Sequence, residues 1–189
     1  MLVYRVFPHL PSAAPGQPGH PSYLHPGRGG GRLDNPASYS VWYLSYDPCG
    51  AIGEVFGNRQ TWPDTMFTEK RLPGSRKALA TLRLPDDLSI LDLDDPQVLL
   101  DRGLRPSQVV ARNRAVTQAW ALRIFDERND RRERLWYGVA WRSFQRPQWR
   151  LLGYWGSAEP VVVNVEPLHY QHYAVIDAAG TLFKRLSRK

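Results

Sequence analysis

Two groups of residues have the types and spacing to do chemistry. The first is Glu54, which shares a stretch, PCGAIGEVFG, with Gly50, Gly53 and Gly57. At helical spacing these glycines line one face with the carboxylate, so the backbone there can be approached closely. Each glycine costs about 1 kcal/mol relative to alanine inside a helix, and something should offset that: a tightly packed neighbouring element, or a ligand brought up to Glu54. The second group is Arg28 to Arg32, RGGGR, a glycine run between two guanidinium groups. Successive backbone N–H groups in such a run can cradle a phosphate beside an arginine fork, while the same composition also suits a plain surface loop. The run is not a Walker loop, because the Lys-Ser/Thr ending is missing, and not the strand–turn–helix dinucleotide fingerprint.

Other constellations are weaker. His20 with His25, and His169 with His172, lack the companion Cys or carboxylate pattern of a metal site and read as solvated or core histidines. Ser143 follows the strand-like WYGVAWR and shares a face with Tyr137, Val139 and Trp141, without a G-x-S-x-G elbow. A satisfied hydroxyl at a core edge is its plain reading.

The elements that must position these groups can be read from pattern and punctuation. Residues 2–7 alternate as a first strand, and the Pro/Gly-rich stretch over about 8–31 excludes regular helix or central strand and reads as a long loop. Residues 40–46 form a second strand candidate in which Trp42 and Leu44 share the more apolar face, leaving Tyr43 pointing to a cleft. Asp47 and Pro48 make an N-cap and first-turn pair, and Ile52, Val55 and Phe56 supply the apolar stripe of a helix running from Pro48 to near Gly57. Further strands are expected near 78–84, 88–93, 136–143, 149–155 and 160–166, with a short helix after Pro96 and a longer one over 107–126. This order lacks a regular βαβ repeat, which favours an α+β class over a doubly wound sheet.

Composition bounds the partners. The chain has 189 residues, 42% of them hydrophobic, with 7 Trp and 9 Tyr, enough apolar surface for one well-packed domain. Cys49 is the only cysteine, so no internal disulfide can form. No stretch has the length of a bilayer span and the N-terminus lacks a secretory pattern, so a cytoplasmic protein without membrane contact is expected. The net charge of +7 suits nucleic acid, an acidic protein or a small polyanion. Its densest stretch, Arg123 to Arg134, interleaves Asp126, Glu127, Asp130 and Glu133, and only the tail Lys184, Arg185, Arg188 and Lys189 is purely basic. The lack of a continuous basic stripe argues against direct nucleic-acid binding.

Taken together, Tyr4-Arg5-Val6, Gly30-Gly31-Arg32 with Asn35-Pro36, Trp42-Tyr43-Leu44, Ala51 to Phe56 (AIGEVF) and Ser143 resemble the RES-domain toxins, named for their Arg, Glu and Ser. Arg32, Tyr43 and Glu54 also follow one another at equal separations of eleven residues, a double spacing that family shows. The chain departs from the family at Leu33 and Asp34, where an aromatic and Asn commonly stand, and at Arg142, where Pro often precedes the serine. The resemblance implies a fold similar to ADP-ribosyltransferase toxins, with two small, mostly antiparallel sheets flanked by helices and an NAD cleft between the sheets. It implies cleavage of the nicotinamide–ribose bond by phosphate or water, and a neighbouring antitoxin that covers the cleft.

On that resemblance the roles follow from residue type. Glu54 stabilises the positive charge that develops on the ribose. Arg5 and Arg32 bind pyrophosphate oxygens or an incoming phosphate. Tyr43 stacks on a ring or bonds a ribose oxygen, and Ser143 positions nicotinamide or the nucleophile. NAD is then a substrate, inorganic phosphate a co-substrate, and neither metal nor resident cofactor is required. Two rivals remain at this level: an ADP-ribosyltransferase acting on a protein, and a basic nucleic-acid-binding protein.

Overall fold

The alternating residues of Leu2–His9 form strand β1, which pairs antiparallel along its full length with β4 (Arg76–Arg83), from Leu2 opposite Arg83 to His9 opposite Arg76. The computed structural model describes residues 1–188, so Lys189 of the basic tail lies outside the described residues. On its other side β1 meets β2 (Trp42–Ser45) through one pair alone, Tyr4 opposite Ser45. The chain leaves β1 at His9 and returns only at Trp42 by the Pro/Gly-rich stretch, so no tight turn holds the two strands in register. They diverge beyond that pair.

The remaining strands are β3 (Thr61–Pro63), β5 (Ile90–Asp92), β6 (Gly138–Arg142), β7 (Arg150–Tyr154), β8 (Val161–Pro167) and β9 (Arg185–Ser187). Seven strands make one sheet in the order β5-β6-β7-β2-β1-β4-β8, and β3 with β9 form a parallel pair. Within the large sheet only β5 and β6 run parallel. The class is α+β, as the element order implies. The two small sheets expected are here halves of a single sheet, joined by the one Tyr4–Ser45 pair, so the expected cleft becomes a fork inside that sheet.

Helix α1 (Pro48–Phe56) forms as its local signals require: Asp47 is an extended N-cap whose carboxylate accepts the Gly50 N–H at 3.0 Å, Pro48 opens the first turn, and Gly57 closes the end. Its buried face, including Ile52 and Phe56, packs with Ala174, Val175, Ala178 and Ala179 of α5 (Tyr173–Thr181) and with Trp62 and Phe67. Burying a side chain the size of Ile52 or Phe56 stabilises the fold by about 1.5–3 kcal/mol each. Helix α5 was not foreseen. Its N-cap is His172, whose Nδ1 accepts from the Ala174 N–H at 3.2 Å, outside the usual Ser/Thr/Asp/Asn set.

The short helix after Pro96 is α2 (Pro96–Asp101), but the single helix expected over 107–126 is broken into α3 (Pro106–Val109) and α4 (Arg114–Phe125). Asn113 restarts the helix as an N-cap, accepting the Ala115 N–H at 3.0 Å. Helix α4 buries Trp120, Ile124 and Phe125 against Leu91, Val139 and Trp141 of β5 and β6. No helix among the described residues is long and apolar enough to cross a membrane.

Candidate active site

The fork between β1 and β2 opens into a cavity of about 670 Å³, walled by both strands, by α1 and by the 18–30 stretch. That volume lies in the usual range for small-molecule sites. Arg5, Tyr43 and Glu54 line it. Arg32 and Ser143 are not in its wall, and Ser143 reaches it through a hydrogen bond to Glu54.

Glu54 projects from α1 and is solvent-accessible. Ser143, 3% exposed just past the end of β6, donates from its hydroxyl to Glu54 Oε1 at 2.5 Å. The Ser143 hydroxyl oxygen in turn accepts the Gln145 N–H at 2.9 Å. Surrounding protein strips water from the Glu54 carboxyl and pushes its pKa up, while the Ser143 hydrogen bond and then the nearby Arg32 charge pull it back.

The α1 glycines explain how Ser143 reaches this point. A Cβ on Gly53 would stand 2.2 Å from Trp149 Cζ3, one on Gly50 3.2 Å from Trp149 Cβ, and one on Gly57 2.7 Å from Gln145 Cδ. The glycine face therefore packs tightly against the β6–β7 connection, the segment that carries Ser143. Of the two readings open from sequence, the neighbouring element takes the glycine face, and the carboxylate stands at its cavity edge.

Arg32 sits beside the break between α3 and α4. Helix ends leave carbonyls without intrahelical partners, and the Arg32 Nη1 donates to two carbonyls there, Val109 O at 2.6 Å and Ala111 O at 2.8 Å. Burial and then the neighbouring Arg114 lower its pKa, with Glu54 and Tyr43 acting in the opposite sense.

Tyr43 is 38% exposed and faces the fork with its ring. Its hydroxyl is already engaged: it donates to Asp34 Oδ1 at 2.8 Å and accepts the Leu33 N–H at 2.8 Å. Asp34, only 8% exposed, also accepts the Gly31 N–H at 2.8 Å. A Cβ on Gly31 would lie 2.2 Å from the Tyr43 hydroxyl, so this residue must be glycine for the tyrosine and aspartate to meet.

Arg5 lies with its guanidinium carbon 4.7 Å from the centre of the Trp42 ring, and its Nη1 donates to Tyr23 O at 2.9 Å. Burial pushes its pKa down to about 10, which leaves it cationic at neutral pH. Of the histidines, His20 bonds Ser22 at 2.8 Å and His172 caps α5. No group of three or more His, Cys, Asp or Glu among the described residues is placed to hold a metal.

Three contributors were not singled out from sequence. Asp34 entered only as a departure from a family pattern, yet a carboxylate among Leu33, Asn35 and Tyr39 in a loop that folds inward is a buried acid needing partners. Trp149 and Gln118 carried no local signal, because what they touch is remote in the chain.

Comparison with known proteins gives a consistent picture. The model of a protein family described as RES domain matches residues 2–176. A chain in the crystal structure of the M. tuberculosis MbcT–MbcA toxin–antitoxin complex is similar in fold, with a TM-score of 0.57 and 18% identity, covering 89% of this chain and 84% of that one. No curated protein matches the sequence.

Proposed function

The chain belongs to the RES domain family, and from that premise we propose that it is the toxin of a toxin–antitoxin pair, a single catalytic domain that cleaves NAD at the nicotinamide–ribose bond. The observation that carries the reading is Glu54: a carboxylate at the wall of a 670 Å³ cavity, held by the Ser143 hydroxyl and facing the field of Arg32.

The C1′–N bond of NAD breaks with its electron pair going to the pyridinium nitrogen, so nicotinamide leaves neutral and positive charge develops on the ribose. Glu54, ionised and fixed, stabilises that charge where it forms. Ser143 is held against Glu54 in a buried turn, so its contribution is to orient the carboxylate. Tyr43 offers its ring to the cleft, since its hydroxyl is committed to Asp34. Arg5 supplies cationic charge for the pyrophosphate, and Arg32 a field near Glu54 and any incoming anion. An oxygen of inorganic phosphate forms the new bond to C1′ and gives ADP-ribose phosphate; water in its place loses a proton and gives ADP-ribose.

The similarity of fold to a chain from a toxin–antitoxin complex supports an antitoxin partner for this chain; in this reading the partner covers the open fork and engages its arginines. The test is to incubate the purified protein with NAD, with and without phosphate, and identify the products. Release of nicotinamide supports the reading, phosphate-dependence of the second product separates phosphorolysis from hydrolysis, and intact NAD in both tubes refutes it.

A further inference from the structure

Gln118 of α4 donates from its carboxamide nitrogen to two carbonyls of the glycine run, Gly29 O at 2.8 Å and Gly31 O at 2.9 Å. A trans peptide points its C=O and N–H in opposite directions, and no described peptide bond is cis. The N–H groups of Gly30 and Arg32 are therefore turned away from Gln118. The peptide between them is held as well, because the Gly31 N–H donates to Asp34 Oδ2 at 2.8 Å.

Gly30 stands in the cavity wall, and the space where its side chain would lie is open, with nothing within 4 Å. Gln118 does not line that cavity, so its two bonds hold the run from outside the wall. Arg5 and Arg28 line the same cavity, and neither takes part in an ion pair among the described residues. A glycine run left free would lose backbone entropy on ordering around a ligand. Here two side chains have ordered it beforehand, with its carbonyls held back from an anion.

We propose that Gln118 and Asp34 are positioning residues that hold the Gly29–Arg32 backbone as a receiver for the phosphates of a dinucleotide, with the Gly30 N–H and the guanidinium groups of Arg5 and Arg28 making the contacts. The identity of the dinucleotide rests on the NAD reading above, but the receiver is tested without turnover.

The probe is ADP, which carries two phosphates and no nicotinamide, titrated calorimetrically into the full chain. Gln118→Leu keeps the bulk and removes both donors. It weakens ADP binding roughly tenfold, the scale of one lost preorganised hydrogen bond, and raises the KM for NAD similarly while kcat changes less than about twofold. Asp34→Ala also weakens ADP binding, and Asp34→Asn, which keeps an acceptor oxygen, restores most of the affinity. Gly30→Ala, which meets nothing in the protein, guards against misfolding: it leaves the thermal midpoint unchanged and still weakens ADP. The proposal is overturned if the parent does not bind ADP, or if folded Gln118→Leu and Gly30→Ala bind it as the parent does. If the variants lose ADP but the parent leaves NAD intact, the receiver stands and NAD cleavage falls.

Discussion

The Ser143 hydroxyl donates to Glu54 Oε1 across 89 residues of chain, and an N–H from its own turn occupies the serine oxygen from the other side. With its O–H directed at Glu54 and its oxygen accepting from the Gln145 and Arg146 N–H groups, the Ser143 hydroxyl is held in one orientation. It makes the carboxylate of α1 a fixed group.

This pair predicts a pH effect. The hydrogen bond lowers the Glu54 pKa against a burial effect that raises it. A carboxylate needed in its ionised form loses activity as pH falls through its pKa, so the acid limb of kcat/KM should lie above the ordinary carboxylate range. Ser143→Ala removes the lowering contribution and should move that limb further up. A pH profile of NAD cleavage with an unchanged limb would show that Ser143 does not act through Glu54.

Glu54→Gln keeps the shape and an acceptor for Ser143 but removes the charge. Loss of one such electrostatic contribution typically costs about 100- to 1000-fold in rate, so turnover should fall by that factor while ADP affinity and thermal midpoint stay near the parent values. Cleavage at near the parent rate would make Glu54 a packing residue.

Gly53→Ala runs against helix propensity. On a free helix face alanine would gain about 1 kcal/mol over glycine, but here its Cβ falls 2.2 Å from Trp149 Cζ3. Overpacking of this kind costs about 1–3 kcal/mol, so urea denaturation should show a net loss of stability, and activity should fall as the Ser143 segment is pushed from Glu54. Adding Trp149→Leu should recover part of the stability. A stabilised single variant would mean that Trp149 moves aside freely.

Arg32→Ala leaves the Val109 and Ala111 carbonyls without their cationic donor. Hydrogen bonds to charged groups contribute about 1.5–3 kcal/mol, so stability should drop on that scale and the KM for NAD should rise. Arg32→Lys supplies a charge without the planar fork and should restore less of the stability than of the binding. Equal recovery of both would assign Arg32 to charge alone.

Much of the fold was legible because its signals are local. Asp47, Pro48 and Gly57 lie within one helix length of each other, and cap chemistry needs no other partner. The strands at 76–83, 138–142 and 150–154 follow from alternation and apolar runs. Local reading failed where a remote group decided the outcome: the helix break before Arg114 stands where Arg32 receives the freed carbonyls, and α5 is capped by a histidine in a position propensity does not favour.

By itself, then, the sequence determined α1 and its cap, the presence of a carboxylate among glycines, the arginines at either end of a glycine run, and the evenly spaced Arg32–Tyr43–Glu54 order on which the resemblance rests. Only the tertiary structure decided that Ser143 meets Glu54, that Trp149 and not a ligand fills the glycine face, that Tyr43 spends its hydroxyl on Asp34, and that the sheet forks between β1 and β2. The physical reason is range. Caps and periodicity depend on residues within a few turns of one another, whereas the Ser143–Glu54 bond spans 89 residues and the Trp149–Gly53 contact still more, and both exist only once close packing has brought their surfaces together.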